Sequence, residues 1–218
     1  MIRLTAEVSE IAIFGAHCDD IAIGMGGTLL TLTEGIVGLR VRVMVLSGGS
    51  TARETEERDA LAAFCPGADV NVEVIDLPDG YAPAHWSLVK TRLHEASASC
   101  DPAVVFGPQQ GDAHQDHRVV ADLLPTVFRD HLVLGYEIPK WESDTPQPTT
   151  FIPISDGVAE EKARLLLKHY PSQIHHDWFD EQVFLGLMRL RGTQCRSRYA
   201  EAFICNKAVL TFDRSERF

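Results

Sequence analysis

Two short polar clusters hold the side chains best suited to chemistry: Ala16-His17-Cys18-Asp19-Asp20 and Gly111-Asp112-Ala113-His114-Gln115-Asp116-His117. Imidazoles and carboxylates in this mixture are the ligand types of a catalytic zinc site, which keeps three protein ligands and leaves a fourth position for water. Zinc brings the pKa of that water close to neutral and polarises a carbonyl oxygen. A carboxylate beside the metal can then take a proton from water, and a histidine across the site can give one to a leaving amine. Each residue alone has a plainer role. Asp19 and Asp20 could cap a helix, His17 could be a hydrogen-bonding residue at a strand end, and His114 with His117 could belong to a solvated loop. The case for a metal therefore depends on whether the fold brings the two clusters together.

The surrounding pattern says that it does. Residues 10–16 form a short apolar run stopped by the first cluster, as expected of a strand buried on both faces. Gly24, Gly26 and Gly27 then lead into a helix expected over 23–35, followed by a strand over 40–47 and a charged helix over 51–64. A third strand (70–77) ends at Pro78-Asp79-Gly80, a helix covers 87–99, and a fourth strand (103–106) leads to the second cluster. A helix over 116–128 and a strand over 132–136 complete the alternation; 141–150 reads as a Pro- and Thr-rich loop, with helices at 159–169 and 179–191 and a late strand at 201–205. The expected architecture is α/β: a Rossmann-like, doubly wound, mainly parallel sheet of order 3-2-1-4-5 in a three-layer α/β/α sandwich. In that order strands 1 and 4 are neighbours where the winding reverses, and ligands bind beyond the carboxyl ends of strands at that point.

Composition narrows the partners. The 218 residues are 45% hydrophobic and 23% charged, enough apolar material for the core of a single domain spanning 1–218. A formal net charge of −11 argues against a nucleic-acid surface or a basic membrane-facing patch and favours a neutral or cationic small molecule. The segment 1–10 carries two carboxylates and no long apolar run, so neither a signal peptide nor a membrane span is expected and the location is read as cytoplasmic. The five cysteines are scattered without a C-x-x-C pair, as for reduced thiols. A homo-oligomer is compatible with all of this.

At this point the chain resembles the PIG-L/LmbE-like zinc-dependent de-N-acetylases, the family of the glycosylphosphatidylinositol-pathway deacetylase and of bacterial relatives in mycothiol, bacillithiol and antibiotic biosynthesis. The hallmark Ala-His-Pro-Asp-Asp-Glu appears as Ala16-His17-Cys18-Asp19-Asp20-Ile21, and the later histidine motif as His114-Gln115-Asp116-His117. Arg53-Glu54-Thr55-Glu56, Leu77-Pro78-Asp79-Gly80, Tyr170-Pro171-Ser172-Gln173 and Tyr199-Ala200-Glu201-Ala202-Phe203 resemble further family segments in the same order. The resemblance implies that His17, Asp20 and His117 bind Zn(2+), that Asp19 is the general base, and that His114 is the general acid or oxyanion stabiliser, with Asp116 holding His114 charged. It implies sugar contacts for Arg53 and Asp79. The implied reaction is hydrolysis of the N-acetyl amide of an N-acetylglucosamine-type sugar, with a small-molecule N-acetylated amino sugar or glycoside as substrate.

Two departures favour a competing reading as a non-catalytic sugar-binding relative. Cys18 stands where the family has proline, which frees a backbone N–H and some local rigidity. Ile21 stands where it has glutamate, which removes a partner for the ligands. A third reading, a nucleotide-dependent transferase, rests on the glycines after the first strand; their spacing departs from G-x-G-x-x-G, and Asp19 and Asp20 would repel a pyrophosphate. The glycines are expected to let the helix start approach the metal loop closely. His175-His176 near Trp178 reads as surface loop.

Overall fold

The computed structural model describes residues 8–209. The expectation for the N-terminal segment therefore concerns, up to position 7, residues outside those described. The chain runs β1 (Glu10–Gly15), α1 (Asp20–Gly35), β2 (Arg40–Ser47), α2 (Ala52–Phe64), β3 (Asp69–Leu77), a 3-10 turn (Ala82–His85), α3 (Trp86–Ala98), β4 (Val104–Pro108) and α4 (Gln115–Val127). It continues through β5 (Leu132–Tyr136), β6 (Thr150–Ile154), α5 (Asp156–His169), α6 (Glu181–Gln194) and β7 (Tyr199–Ile204).

All these strands share one sheet of order β3-β2-β1-β4-β5-β7-β6. Every residue of β1 and β4 is buried, as two-sided coverage requires. Alternate side chains of β1 serve opposite layers: Ile11 and Ile13 pack with Leu29 of α1, Leu61 of α2 and Leu165 of α5, while Ala12 and Phe14 pack with Val89 of α3 and Val120 of α4. Each such fully buried aliphatic chain contributes roughly 1.5–3 kcal/mol. β1 pairs in parallel with β2 on one side and β4 on the other, so the winding reverses where the sequence indicates.

The expected order 3-2-1-4-5 is the parallel part of a longer sheet. β7 adds antiparallel to β5, and β6 antiparallel to β7. β6 escapes a reading of the sequence because Pro153 interrupts a short run, and proline is tolerated only where no ladder donor is needed. β6 is an edge strand, which meets that condition.

α1 also departs from expectation, starting at Asp20 rather than near 23. Gly24 and Gly26 lie within it and make room for rings, not for the loop after β1. A Cβ on Gly24 would overlap Tyr136, and one on Gly26 would lie 2.7 Å from Phe64 Cε1. The helix is kinked at Met25, whose φ of −147° and ψ of 19° are non-helical. The amides of Gly27 and Thr28 just past the kink donate instead to the Glu201 carboxylate at 2.9 and 2.6 Å. Lys162 completes the splice, its Nζ 2.5 Å from the Ile23 carbonyl and 2.6 Å from Glu201. Among the described residues no helix is long and apolar enough to cross a membrane.

Candidate metal centre

The turn between β1 and α1 is shaped by its two aspartates. Asp19 has φ 127°, a region that costs an L-residue of order 1–3 kcal/mol, and its side chain makes no capping bond. Asp20 does the local work: its Oδ2 accepts from the amides of Ala16 and His17 at 2.9 and 2.8 Å. That closes the turn and leaves Oδ1 free. Across the switch point, His114 caps α4 and His117 lies three residues on, within its first turn. Asp112 sets this entry, its Oδ1 accepting from the His114 amide at 2.8 Å.

Two imidazole nitrogens and the Asp20 carboxylate consequently converge. His17 Nδ1 is 3.1 Å from His117 Nε2, His117 Nε2 is 3.3 Å from Asp20 Oδ1, and His17 Nδ1 is 3.6 Å from Asp20 Oδ2. Ligand atoms at about 2.0–2.1 Å from a tetrahedral zinc stand roughly 3.3 Å apart, so the residues present fit such an ion. A ligand atom of His114 lies within 4.8 Å of those of His17 and His117. The far nitrogen of each histidine faces carboxylates, as in sites where second partners orient metal-binding imidazoles. His17 Nε2 is 3.0 Å from Asp79 and 3.3 Å from Asp116. His117 Nδ1 is 3.0 Å from Asp112 Oδ2, an ionic contact without well-angled hydrogen-bond geometry. Burial opposes the charged form of both imidazoles, but Asp20 with Asp116 and Asp79 raises the pKa of His17 well above its ordinary value. Asp20 and Asp112 bring His117 up to about 9. Such a carboxylate-rich shell calls for positive charge at its centre.

Asp19 stands beside this centre under the guanidinium of Arg53, whose Nη2 donates to Asp19 Oδ2 at 2.9 Å and also bonds the Cys18 carbonyl. Arg53 is itself held by Glu56 at 2.8 Å and Ser172 Oγ at 2.6 Å. Burial raises the Asp19 pKa to about 7, with Arg53 opposing and Asp20 adding to the shift. His114 moves the other way: burial and the charges of His17 and His117 lower its pKa. Its Nδ1 accepts from the Asp116 amide at 3.3 Å, which leaves Nε2 as the protonated nitrogen of the neutral ring.

Asp116, expected to hold His114 charged, raises the His114 pKa only against the larger opposing effects of burial, His17 and His117. Its carboxylate turns to the amides of Gly80 and Ala82 at 2.7 and 3.0 Å and to His17, because the turn after β3 presents unpaired N–H groups there. Every other expected site residue, namely His17, Asp19, Asp20, Arg53, Asp79, His114 and His117, lines one cleft of about 630 Å³. Asp112 was given no role of its own by the sequence, and Lys140 was not singled out. Asp112 two positions before His114 is a short-range capping signal that could have been read. Lys140, 3.0 Å from Asp112 and 2.6 Å from Asp144, carries no local signal.

The departures from the family pattern are absorbed structurally. Cys18 is buried with its Sγ donating to the Ser47 carbonyl at 3.4 Å, and burial pushes its thiol pKa up, so it remains a thiol. Ile21 is a fully buried core residue. His176 lines the cleft without joining a metal-binding group among the described residues.

Residues 12–128 match the family described as PIG-L, GlcNAc-PI de-N-acetylase. The chain is 25% identical to a diacetylchitobiose deacetylase of Thermococcus kodakarensis, over 89% of this chain and 82% of that protein. Its fold is similar to that of N,N'-diacetylchitobiose deacetylase from Pyrococcus horikoshii, with TM-score 0.65 and 20% identity over 90% of this chain and 83% of that one. It is also similar to GalB, the 4-carboxy-2-hydroxymuconate hydratase of Pseudomonas putida KT2440, with TM-score 0.75 and 18% identity over 95% of this chain and 100% of that one. A deacetylase and a hydratase on one scaffold show that the site, not the fold, decides the reaction. The family match spans over half of the sequence and contains both halves of the candidate site, so this chain belongs to the PIG-L de-N-acetylase family.

Proposed function

We propose that the chain is a zinc-dependent N-deacetylase that hydrolyses the N-acetyl amide of an N-acetylglucosamine-type sugar to acetate and the free amine. The observation that carries this reading is the convergence of His17 Nδ1, His117 Nε2 and the Asp20 carboxylate within 3.1–3.6 Å of one another, with Asp19 and His114 lining the same cleft. Zinc held by those residues supplies a water of lowered pKa and a Lewis acid for the amide carbonyl.

The chain's own groups do the proton work. Asp19, anchored by Arg53, takes a proton from the attacking water, a task suited to a carboxylate whose pKa burial brings to about 7. His114 Nε2–H donates to the carbonyl oxygen as negative charge develops on it. As the C–N bond breaks, the proton on Asp19 or that of His114 passes to the departing nitrogen. Asp116 and Asp112 act through the histidines they face. Asp79, exposed and lining the cleft, accepts from a sugar hydroxyl in this reading, whereas Arg53, bonded to Asp19, Glu56 and Ser172, acts by holding the base.

The test is acetate release from N-acetylglucosamine and its glycosides. Zinc-loaded protein is expected to release acetate, a chelator to stop it, and added zinc to restore it. Undiminished turnover by chelated protein would overturn the proposal.

A further inference from the structure

Lys140 lines the cleft but has no donor left for a substrate. An ammonium carries three, and three acceptors surround this one: Asp144 Oδ2 at 2.6 Å, Asp112 Oδ2 at 3.0 Å and the Ile138 carbonyl at 3.4 Å. Its side chain is only 10% exposed. A lysine held so completely, beside the candidate metal centre and unused by the amide chemistry, acts through the groups it touches.

The oxygen it touches is the one that faces His117. Asp112 Oδ2 lies 3.0 Å from Lys140 Nζ and 3.0 Å from His117 Nδ1, while Oδ1 accepts from the His114 amide. The Asp112 side chain is buried. An imidazole that binds a metal through Nε2 is neutral and keeps its proton on Nδ1, so a zinc-bound His117 brings no positive charge to Asp112. A buried carboxylate left with a neutral ring alone is an uncompensated charge. Lys140 supplies the compensation. Arg118 does not, because it donates to the Asp112 and Ala113 carbonyls. The ammonium is tied to the same loop from its other side as well, since Asp144 Oδ2 accepts from the Ala113 amide at 2.7 Å.

We infer that Lys140 is a positioning residue for the metal centre: its charge keeps Asp112 a carboxylate directed at His117 Nδ1, and through Asp112 it holds the His117 ring with Nε2 toward zinc. This role deepens the zinc reading and rests on it. A lysine that only braced the loop to Asp144 would support stability and leave metal affinity alone.

Competition with a chelator of known strength, on protein whose folding is verified by circular dichroism, gives the zinc dissociation constant of each variant. Lys140→Met should weaken zinc binding about 10–100-fold. Lys140→Arg, which keeps the charge, should bind close to wild type, and so should Asp144→Asn, which leaves Lys140 on Asp112. Combining Lys140→Met with Asp112→Asn should weaken binding no further than the more damaging single change, because both act on one path. If Lys140→Met does not fold, Lys140→Gln, which keeps a donor but not the charge, carries the same expectation. Wild-type affinity in the neutral variants, losses that multiply in the double variant, or Lys140→Arg as weak as Lys140→Met overturns the inference while the zinc reading stands. A wild-type chain that binds no zinc overturns both.

Discussion

The stretch matched by the family, residues 12–128, and the remainder from β6 to β7 contribute different things to one cleft. The first carries every group proposed to touch zinc or the amide. The second carries few reactive groups and many braces. Glu201 satisfies the α1 kink from 174 positions away, Ser172 bonds Glu56 from 116, and the hydroxyl of Tyr170 reaches buried Glu57 at 2.7 Å. Arg53 shows how the two meet: its guanidinium grips Asp19 while lying 5.8 Å over the Tyr170 ring. Chemistry here is local in sequence, and the precision of its placement is not.

Substitutions can separate the two contributions. The largest effect is expected in the first region: Asp19→Asn should lower kcat by about 10²–10⁴-fold while zinc content stays stoichiometric. Loss of zinc along with activity would instead make Asp19 a ligand. In the second region, Lys162→Met leaves Glu201 as an uncompensated buried charge at the α1 splice and should cost about 3–5 kcal/mol in urea unfolding. A change near zero would show that the kink needs no brace.

Glu57 tests the bracing through pH. It is fully buried, and burial raises its pKa from 4.5 to about 8 despite the bond from Tyr170. A carboxyl whose folded pKa is raised contributes its stability fully below the unfolded value, and that contribution is lost as pH rises through the folded value. Unfolding free energy should therefore decline between pH 4.5 and 8, by at most about 1.4 kcal/mol per pH unit for this group. Glu57→Gln should flatten that decline, and an identical slope in the variant would remove Glu57 as its cause. The smallest effect is expected for Asp112→Asn, which keeps the metal ligands but weakens the hold on His117, lowering zinc affinity about 10–100-fold. Competition with a chelator of known strength would measure it, and unaltered affinity would confine Asp112 to capping α4.

The same contrast explains what the sequence revealed. β1, β2 and β5 were readable almost to the residue because their apolar runs stop at polar clusters or glycines, and the switch point followed from their order. The meeting of His17, Asp20 and His117 in one cleft was legible because each follows a strand or opens a helix. β6 was hidden by Pro153, and the early start of α1 by glycines that ordinarily end helices but here accommodate Tyr136 and Phe64. The bonds of Asp116 to the Gly80 and Ala82 amides were not legible because those partners are 36 and 34 positions distant. Lys140 was missed for the same reason, its partner Asp112 being 28 positions away.

The most direct test of the central claim is anomalous diffraction at the zinc edge from zinc-loaded crystals of the active protein. A zinc peak is expected within bonding distance of His17 Nδ1, Asp20 Oδ1 and His117 Nε2, with Asp19 beside it unbound. Zinc bound elsewhere, or active crystals with no metal at these three atoms, would contradict it.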